Sequence, residues 1–234
     1  MREELWNGFV AENPEDAFRL TADSFLLADF ASVPRGGKVC DLGCGAGAIG
    51  MMLLADDPSI SLTGIERLAD QAVLAERCIR QNGCQERADI LCADWRKLPS
   101  RLYTAFDTVV SNPPYFSEDA EASDPARSEQ NGGLDDLCSA AEKLLKVKGQ
   151  FFLVYRSQRL VDLFCALRRH HLEPKLLRLV RHRANARCML ALIRAVKGGK
   201  PSLICGDDLI LYRDDGSETD ECRRIYHHKE ENDS

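Results

Sequence analysis

The chain has 234 residues, of which 44% are hydrophobic and 29% charged, and its formal net charge is −6. This length suits one α/β domain with a complete hydrophobic core, and no apolar stretch approaches the roughly 18 residues of a membrane span. The first residues lack the basic flank and apolar segment of a signal peptide. We therefore expect a cytoplasmic globular protein.

Ten cysteines and five histidines show neither a paired C-x-x-C nor a metal-ligand spacing. Cys40, Cys44, Cys92 and Cys188 lie within or beside apolar runs typical of core strands. Thiols in such places pack as small hydrophobic side chains. The sequence therefore predicts structural free thiols and no bound metal.

The first elements in chain order are a helix and a strand. Thr21 and Asp23 stand where a helix would be capped, and apolar residues follow them. An apolar run at 38–42 then leads into a glycine cluster at 43–50 and a helical run at 51–55. This order predicts a strand, a tight turn and a helix.

The same pattern repeats along the chain. Further strands are predicted at 59–65, 88–92, 106–111 and 150–155, with helices at 67–82, 134–145 and 158–170. Strands separated by helices favour right-handed crossovers and a mainly parallel sheet.

The end of the chain departs from this alternation. Two apolar runs, 174–180 and 187–195, have no helix between them and predict an antiparallel hairpin, and a strand at 209–212 and a helix at 219–226 follow. We predict one α/β domain with a seven-stranded, mostly parallel sheet. It would comprise an N-terminal segment (1–35), a core (36–196) and a C-terminal extension (197–234).

The glycine loop after the first strand predicts a nucleotide site. Its glycines, among them Gly43, allow a ligand to approach the backbone and the helix N-terminus. Gly45, Gly47 and Gly50 also satisfy the dinucleotide pattern G-x-G-x-x-G, and Glu66, at the end of the second strand, suits a ribose in either case. The loop alone leaves the ligand open.

Two carboxylates favour S-adenosylmethionine over a nicotinamide dinucleotide. Asp41 stands directly before the glycines, where its charge would repel a pyrophosphate and attract a sulfonium and an amino group. Asp94 follows the third strand, where it can accept a hydrogen bond from the adenine amine. Trp95 is interpreted either as core packing or as a wall of the adenine pocket.

Asn112-Pro113-Pro114-Tyr115 ends the fourth strand, beside the first strand in the expected order. A conjugated amine is a poor nucleophile because its lone pair is delocalised. The Asn112 side-chain oxygen and the Pro113 carbonyl could accept the amine hydrogens and direct the lone pair at a methyl donor, while Tyr115 stacks on the planar group. An ordinary strand-ending turn is the alternative, which the preceding motifs make less favourable.

Charge is unevenly distributed. From Arg156 to Arg187 nine basic side chains face two acids, whereas from Ser117 to Asp136 seven acids face one arginine. The basic stretch is either a solvated helix face or a phosphate-tracking surface. In the second case we expect Arg178, Arg181 and Arg183 to contact RNA.

These motifs together resemble the Rossmann-like class I S-adenosylmethionine-dependent methyltransferases that methylate amines, and more narrowly the bacterial tRNA(Val) adenine-37 N6-methyltransferase family. The resemblance covers most of the chain, and the segments that carry it are 19–28, the glycine loop, 112–116, 126–129 and 209–226. The long acidic loop after Phe116 and the approximate match at 127–129 depart from the family pattern and leave the substrate open.

The resemblance implies roles for individual residues. Thr21 to Asp23 would fold over the cofactor; Asp41, Gly43, Glu66 and Asp94 would hold it. Asn112 and Tyr115 would receive the target adenine. Phe116 and Arg127 are further expected substrate contacts, and tRNA is the expected partner of a monomer or weak homodimer.

Three alternatives remain. The same motif could act on the glutamine amide of release factors, although such enzymes usually have an N-terminal helical domain and only about 35 residues precede the core here. Guanine or adenine in ribosomal RNA, or adenine in DNA, is a second possible acceptor. A catalytically silent RNA-binding module with the same fold is the third.

Overall fold

The computed structural model describes residues 2–12, 22–113 and 133–227. The strands are β1 (Arg2–Glu4), β2 (Val10–Glu12), β3 (Lys38–Leu42), β4 (Ser61–Glu66), β5 (Ala88–Cys92), β6 (Phe106–Ser111), β7 (Leu145–Arg156), β8 (Leu172–Arg181), β9 (Leu190–Lys197), β10 (Ile204–Cys205) and β11 (Leu209–Ile210). The α-helices are α1 (Ala22–Phe30), α2 (Ala48–Asp56), α3 (Ala69–Gln81), α4 (Leu134–Leu144), α5 (Leu160–Arg169) and α6 (Asp220–His227).

The main sheet has the order β5-β4-β3-β6-β7-β9-β8, and β10 and β11 pair with β8. Strands β3 to β7 run parallel, and β9 is antiparallel to both of its neighbours. This confirms the predicted Rossmann-like sheet with an antiparallel C-terminal hairpin. The described sheet has nine strands rather than seven, because β10 and β11 are two-residue strands too short to show an alternating pattern.

The sheet is covered on both faces. Successive side chains of a strand point to opposite faces, so Val39, Val110 and Phe152 join the core shared with α1, α2 and α6. Their neighbours, including Cys40 and Phe151, join the core shared with α4 and α5. Burial on both faces explains why each of these strands has consecutive apolar residues, at 39–40, 109–110 and 151–155.

The first and last described segments meet on α1. The Trp6 indole donates to the Ile225 carbonyl at 2.9 Å, and the rings of Phe25 and Tyr226 pack edge to face with centroids 5.5 Å apart. Arg224 forms an ion pair with Asp29 at 2.6 Å. Helix α6 therefore fixes α1, whose first residue directly follows Thr21.

All ten cysteines are free, and six of them are buried. The expectation that Cys92 packs in the core is wrong: it is exposed, because it ends β5 at the open edge of the sheet. Within the described ranges, no group of three His, Cys, Asp or Glu side chains could hold a metal ion. No helix there is long and apolar enough to cross a membrane.

Parallel strands bring their carboxyl ends to one side of the sheet, which we term the carboxyl edge. Leu42 is level with Ile65, and Glu66 is level with Cys92. On the other side of β3, Asp41 is level with Val110 of β6. The residues that follow β3, β4, β5 and β6 therefore lie along one edge of the sheet, where open α/β sheets usually bind their ligands.

Candidate functional site

The glycine loop bends tightly between β3 and α2. The amides of Gly43 and Cys44 both donate to the Ile65 carbonyl, at 2.8 and 3.1 Å. Gly43 has a φ of +78°, and a Cβ there would lie 2.9 Å from Cζ3 of Trp95. Only glycine fits this position, because a side chain would be strained by the backbone and would collide with the indole.

Asp41 is fully buried beneath the loop. Its Oδ2 accepts a hydrogen bond from the Gly50 amide at 3.1 Å, so it caps α2 in place of Gly47, which has no side chain to do so. Its Oδ1 is buried without a hydrogen-bond partner within the described residues. Burial raises the pKa of Asp41 from 3.8 to about 7, opposed by the Gly50 hydrogen bond and reinforced by the Glu66 charge.

Glu66 joins the end of β4 to the glycine loop. Its Oε2 accepts from the Gly45 amide at 2.9 Å, and its Oε1 accepts from the Leu68 amide at 2.8 Å. The side chain is half-buried. These two donors hold the carboxylate in a fixed orientation beside the loop.

Asp94 and Trp95 follow β5. Arg96 holds both oxygens of Asp94, with its Nε 3.0 Å from each and its Nη2 2.6 Å from Oδ2. The Arg96 hydrogen bonds keep the pKa of Asp94 below its ordinary value. Trp95 is half-buried beside Gly43, and its indole nitrogen is buried without a hydrogen-bond partner within the described residues.

Arg96 was missed by sequence reasoning. Its only signal was its position two residues after Asp94, in a short turn that Asp94 caps through the Arg96 amide at 2.9 Å. A residue two positions after the cap lies close to the carboxylate that caps the turn.

Asn112 and Pro113 lie at the carboxyl edge between the glycine loop and β7. The Ser111 hydroxyl donates to the Leu42 carbonyl at 2.7 Å and is fully buried. This hydrogen bond holds the ends of β6 and β3 side by side and brings Asn112 level with Gly43. Asn112 is half-buried and Pro113 is buried.

Several predicted site residues lie outside the described residues. They are Thr21, Pro114, Tyr115, Phe116 and Arg127, and their roles stay predictions. Asp23 is described, half-buried in the first turn of α1.

The three arginines proposed to contact RNA differ in their surroundings. Arg178 forms a two-pronged ion pair with Glu221, with both distances 2.7 Å. Arg181 pairs with Asp208 at 2.5 Å. Arg183 is exposed and forms no ion pair within the described part of the chain. Two of the three arginines therefore form ion pairs with residues of the C-terminal extension.

Known proteins match most of this chain. The model of the methyltransferase small domain family matches residues 19–170. A tRNA1(Val) (adenine(37)-N6)-methyltransferase of Yersinia enterocolitica is 31% identical over 151 residues, which are 62% of this chain and 60% of that protein. A protein of the same name from Aeromonas hydrophila is 28% identical over 195 residues, 81% of each chain.

Solved structures show the same fold. A predicted O-methyltransferase from Agrobacterium tumefaciens has a TM-score of 0.73 at 23% identity, covering 87% of this chain and 94% of that one. A geranyl diphosphate C-methyltransferase from Streptomyces coelicolor, in complex with S-adenosyl-L-homocysteine, has a TM-score of 0.57 at 15% identity, with 75% and 77% covered. Because the family model matches more than half of its residues, the chain belongs to the methyltransferase small domain family.

Proposed function

We propose that this protein is an S-adenosylmethionine-dependent N-methyltransferase that acts on the N6 amine of adenine in tRNA. The observation that carries the proposal is the position of Asn112, held level with the glycine loop by the Ser111 hydrogen bond to Leu42. A group that accepts amine hydrogens thus adjoins the loop that would bind the methyl donor.

The residues at the carboxyl edge suit a cationic adenosyl cofactor. Asp41 and Trp95 each have a buried polar atom without a hydrogen-bond partner within the described residues. Asp41, with the glycine loop, would hold the charged amino-acid part, and Glu66 the ribose hydroxyls. Asp94 would accept from the adenine amine, and Thr21 to Asp23 would fold over the cofactor. When bound, the cofactor supplies an electrophilic methyl group on a sulfonium.

The protein's own part in the reaction is to orient the amine. The Asn112 side-chain oxygen and the Pro113 carbonyl would accept the two amine hydrogens, which draws the nitrogen towards tetrahedral geometry and localises its lone pair. Proline has a fixed φ, so these acceptors are in place before the substrate arrives. Tyr115 would stack on the base. Methylation leaves the nitrogen with one proton too many, which makes it strongly acidic, and it releases that proton to water. None of these groups therefore has to act as a strong base.

The choice of tRNA is supported by the names of the curated relatives. The matched region spans only 60% of the Yersinia protein, so the anticodon-loop adenine of tRNA(Val) is proposed as the target by similarity. Such a base must leave its stack at a cost of a few kcal/mol, which stacking on Tyr115 or Phe116 would offset. A tRNA substrate would place the enzyme in the cytoplasm.

The test is transfer of labelled methyl groups from the cofactor to total tRNA, total ribosomal RNA and a protein extract, followed by nucleoside analysis. We expect N6-methyladenosine in tRNA only. Label confined to protein would overturn the RNA assignment and favour a glutamine amide. No transfer, together with no cofactor binding in calorimetry, would favour the catalytically silent module.

A further inference from the structure

The loop that joins β8 to β9, residues 182–189, lies at the carboxyl edge together with Asn112. Arg156 at the end of β7 is level with Leu190, and Leu190 is level with Val180. Since β7 is parallel to β6, the hairpin turns at the edge where the glycine loop and Asn112 lie. Three strand spacings separate β6 from β8, a distance of about 14 Å, which a few nucleotides can span.

Hydrogen bonds from both sides brace this loop. The Ser157 amide, just after β7, donates to the Met189 carbonyl at 3.0 Å. At the other end, Arg181 donates to the Ala186 carbonyl at 2.6 Å while it pairs with Asp208. The loop therefore has a defined shape before any partner arrives, which lowers the entropy cost of binding.

A ring contact adds to this bracing. The His182 and Tyr212 rings lie 4.6 Å apart at an angle of 34°, and the Tyr212 amide donates to the His182 carbonyl at 2.9 Å. The C-terminal extension thus supports the loop from β11 onward.

Two arginines of the loop keep their charge available. Arg183 and Arg187 are exposed, and neither side chain forms a hydrogen bond or ion pair within the described residues. The loop sequence, His-Arg-Ala-Asn-Ala-Arg-Cys-Met, contains no acid. Most other arginines of the basic stretch are neutralised, in the pairs Arg159–Asp162, Arg168–Glu173, Arg169–Asp135, Arg178–Glu221 and Arg181–Asp208.

We infer that the β8–β9 loop is an RNA-docking surface, on which Arg183 and Arg187 contact phosphates flanking the target adenosine. Arg181 is a positioning residue that braces the loop rather than a phosphate contact. The inference rests on the proposed function, since it takes the RNA as given and assigns where its backbone lies. Of the three arginines that the sequence predicted to contact RNA, this inference keeps Arg183 and leaves out Arg178 and Arg181. It adds Arg187.

An acidic turn beside the loop reduces the positive charge of this surface. A Cβ at Gly216 would lie 3.9 Å from Nη2 of Arg183, so the Arg183 guanidinium lies over the turn that contains Asp214 and Asp215. Asp215 accepts hydrogen bonds from the amide and hydroxyl of Ser217, whereas Asp214 is exposed. Removing the Asp214 charge should therefore strengthen RNA binding without disturbing the turn.

The test compares tRNA binding by the wild type and by Arg183→Gln/Arg187→Gln across a salt series, measured by fluorescence anisotropy. Loss of two phosphate contacts should lower the slope of log affinity against log salt by about 1.4. Between 50 and 200 mM salt, the wild type should then lose about sevenfold more affinity than the variant. Asp214→Asn should shift affinity in the opposite direction.

The matched control is Arg35→Gln/Lys200→Gln, which removes two exposed cations at the opposite edge, before β3 and after β9. Its slope should equal that of the wild type. If the wild type methylates tRNA but the loop variant keeps the wild-type slope, this inference is overturned and the proposed function stands. If the wild type neither binds nor methylates RNA, both fail.

Discussion

The two halves of the carboxyl edge hold their charged groups in different ways. In the cofactor half, which follows β3, β4 and β5, the carboxylates of Asp41, Glu66 and Asp94 are buried or half-buried and each accepts at least one backbone hydrogen bond. In the hairpin half, which follows β7, β8 and β9, the charges of Arg183 and Arg187 are exposed on a braced loop.

The difference indicates which solution variable each half responds to. Burial raises the pKa of Asp41 to about 7, so the cofactor half should respond to pH. Exposed cations that bind phosphates are screened by ions, so the hairpin half should respond to salt. Asn112 lies between the two halves. Its substitution should lower turnover rather than the affinity for the cofactor or for tRNA.

The largest effect is expected at this boundary. Asn112→Ala removes the hydrogen-bond acceptor that we propose orients the amine in the transition state. The value of kcat should therefore fall on the order of 10²- to 10³-fold. Cofactor affinity should stay within about tenfold, because the contact serves the transition state rather than the ground state. Single-turnover methylation and calorimetry on the same variant measure the two quantities. A fall in cofactor affinity that accounts for the whole loss would contradict the assigned role.

Glu66→Gln should weaken the cofactor half alone. The amide cannot accept through both of its terminal atoms, so either the Gly45 or the Leu68 amide loses its partner, and the ribose contact is weakened. Cofactor affinity should fall about tenfold, the usual effect of losing a charged hydrogen bond. Glu76→Gln, on the exposed face of α3, is the matched control and should bind as the wild type does.

Asp41 should make stability depend on pH. Its folded pKa is raised from 3.8 to about 7, so the folded state holds its proton while the unfolded state ionises. Stability is therefore highest at low pH for this group and falls as pH rises towards the folded pKa, by about 2 kcal/mol between pH 5 and pH 7. Chemical denaturation of Asp41→Asn should lack this part of the pH dependence. Parallel curves for the two proteins would refute the assignment.

The smallest effect concerns the hydrogen bond that aligns the two halves. Ser111→Ala leaves the Leu42 carbonyl without the hydroxyl that bonds it at 2.7 Å, which should lower the free energy of unfolding by about 1 kcal/mol. Thermal denaturation reports this loss. A variant that is as stable as the wild type would show that strand pairing alone aligns Asn112 with Gly43.

Sequence patterns were most informative in the parallel part of the sheet. The bounds predicted for β3, β5 and β6 coincide with those observed. Glycines flank β3, and Asn112-Pro113 directly follows β6, whereas β5 is a half-exposed edge strand that follows two charged residues. The start of β7 was predicted at 150 but lies at Leu145, because the intervening residues include two lysines and a glycine that show no strand pattern. The hairpin of β1 and β2 was not predicted, since each strand has only three residues.

The sequence could predict which strand ends form the candidate site. It could not predict the contacts that their side chains make. Parallel order placed Asp41, Glu66, Asp94 and Asn112 at one edge, whereas nothing local indicated that Asp41 would cap α2. The pairing of Arg178 with Glu221 joins residues 43 positions apart, and sequence spacing carries no signal for such a contact. The basic stretch alone therefore does not distinguish the arginines that form ion pairs from those whose charge is exposed.

The most direct test of this division measures both ligands on the same three proteins: wild type, Glu66→Gln and Arg183→Gln/Arg187→Gln. Calorimetry gives the cofactor affinity, and a salt series gives the slope for tRNA binding. We predict that Glu66→Gln lowers only the cofactor affinity and that the arginine variant lowers only the tRNA slope. A variant that changes both quantities equally, or an arginine variant that changes neither, would contradict the division of the edge into a cofactor half and an RNA half.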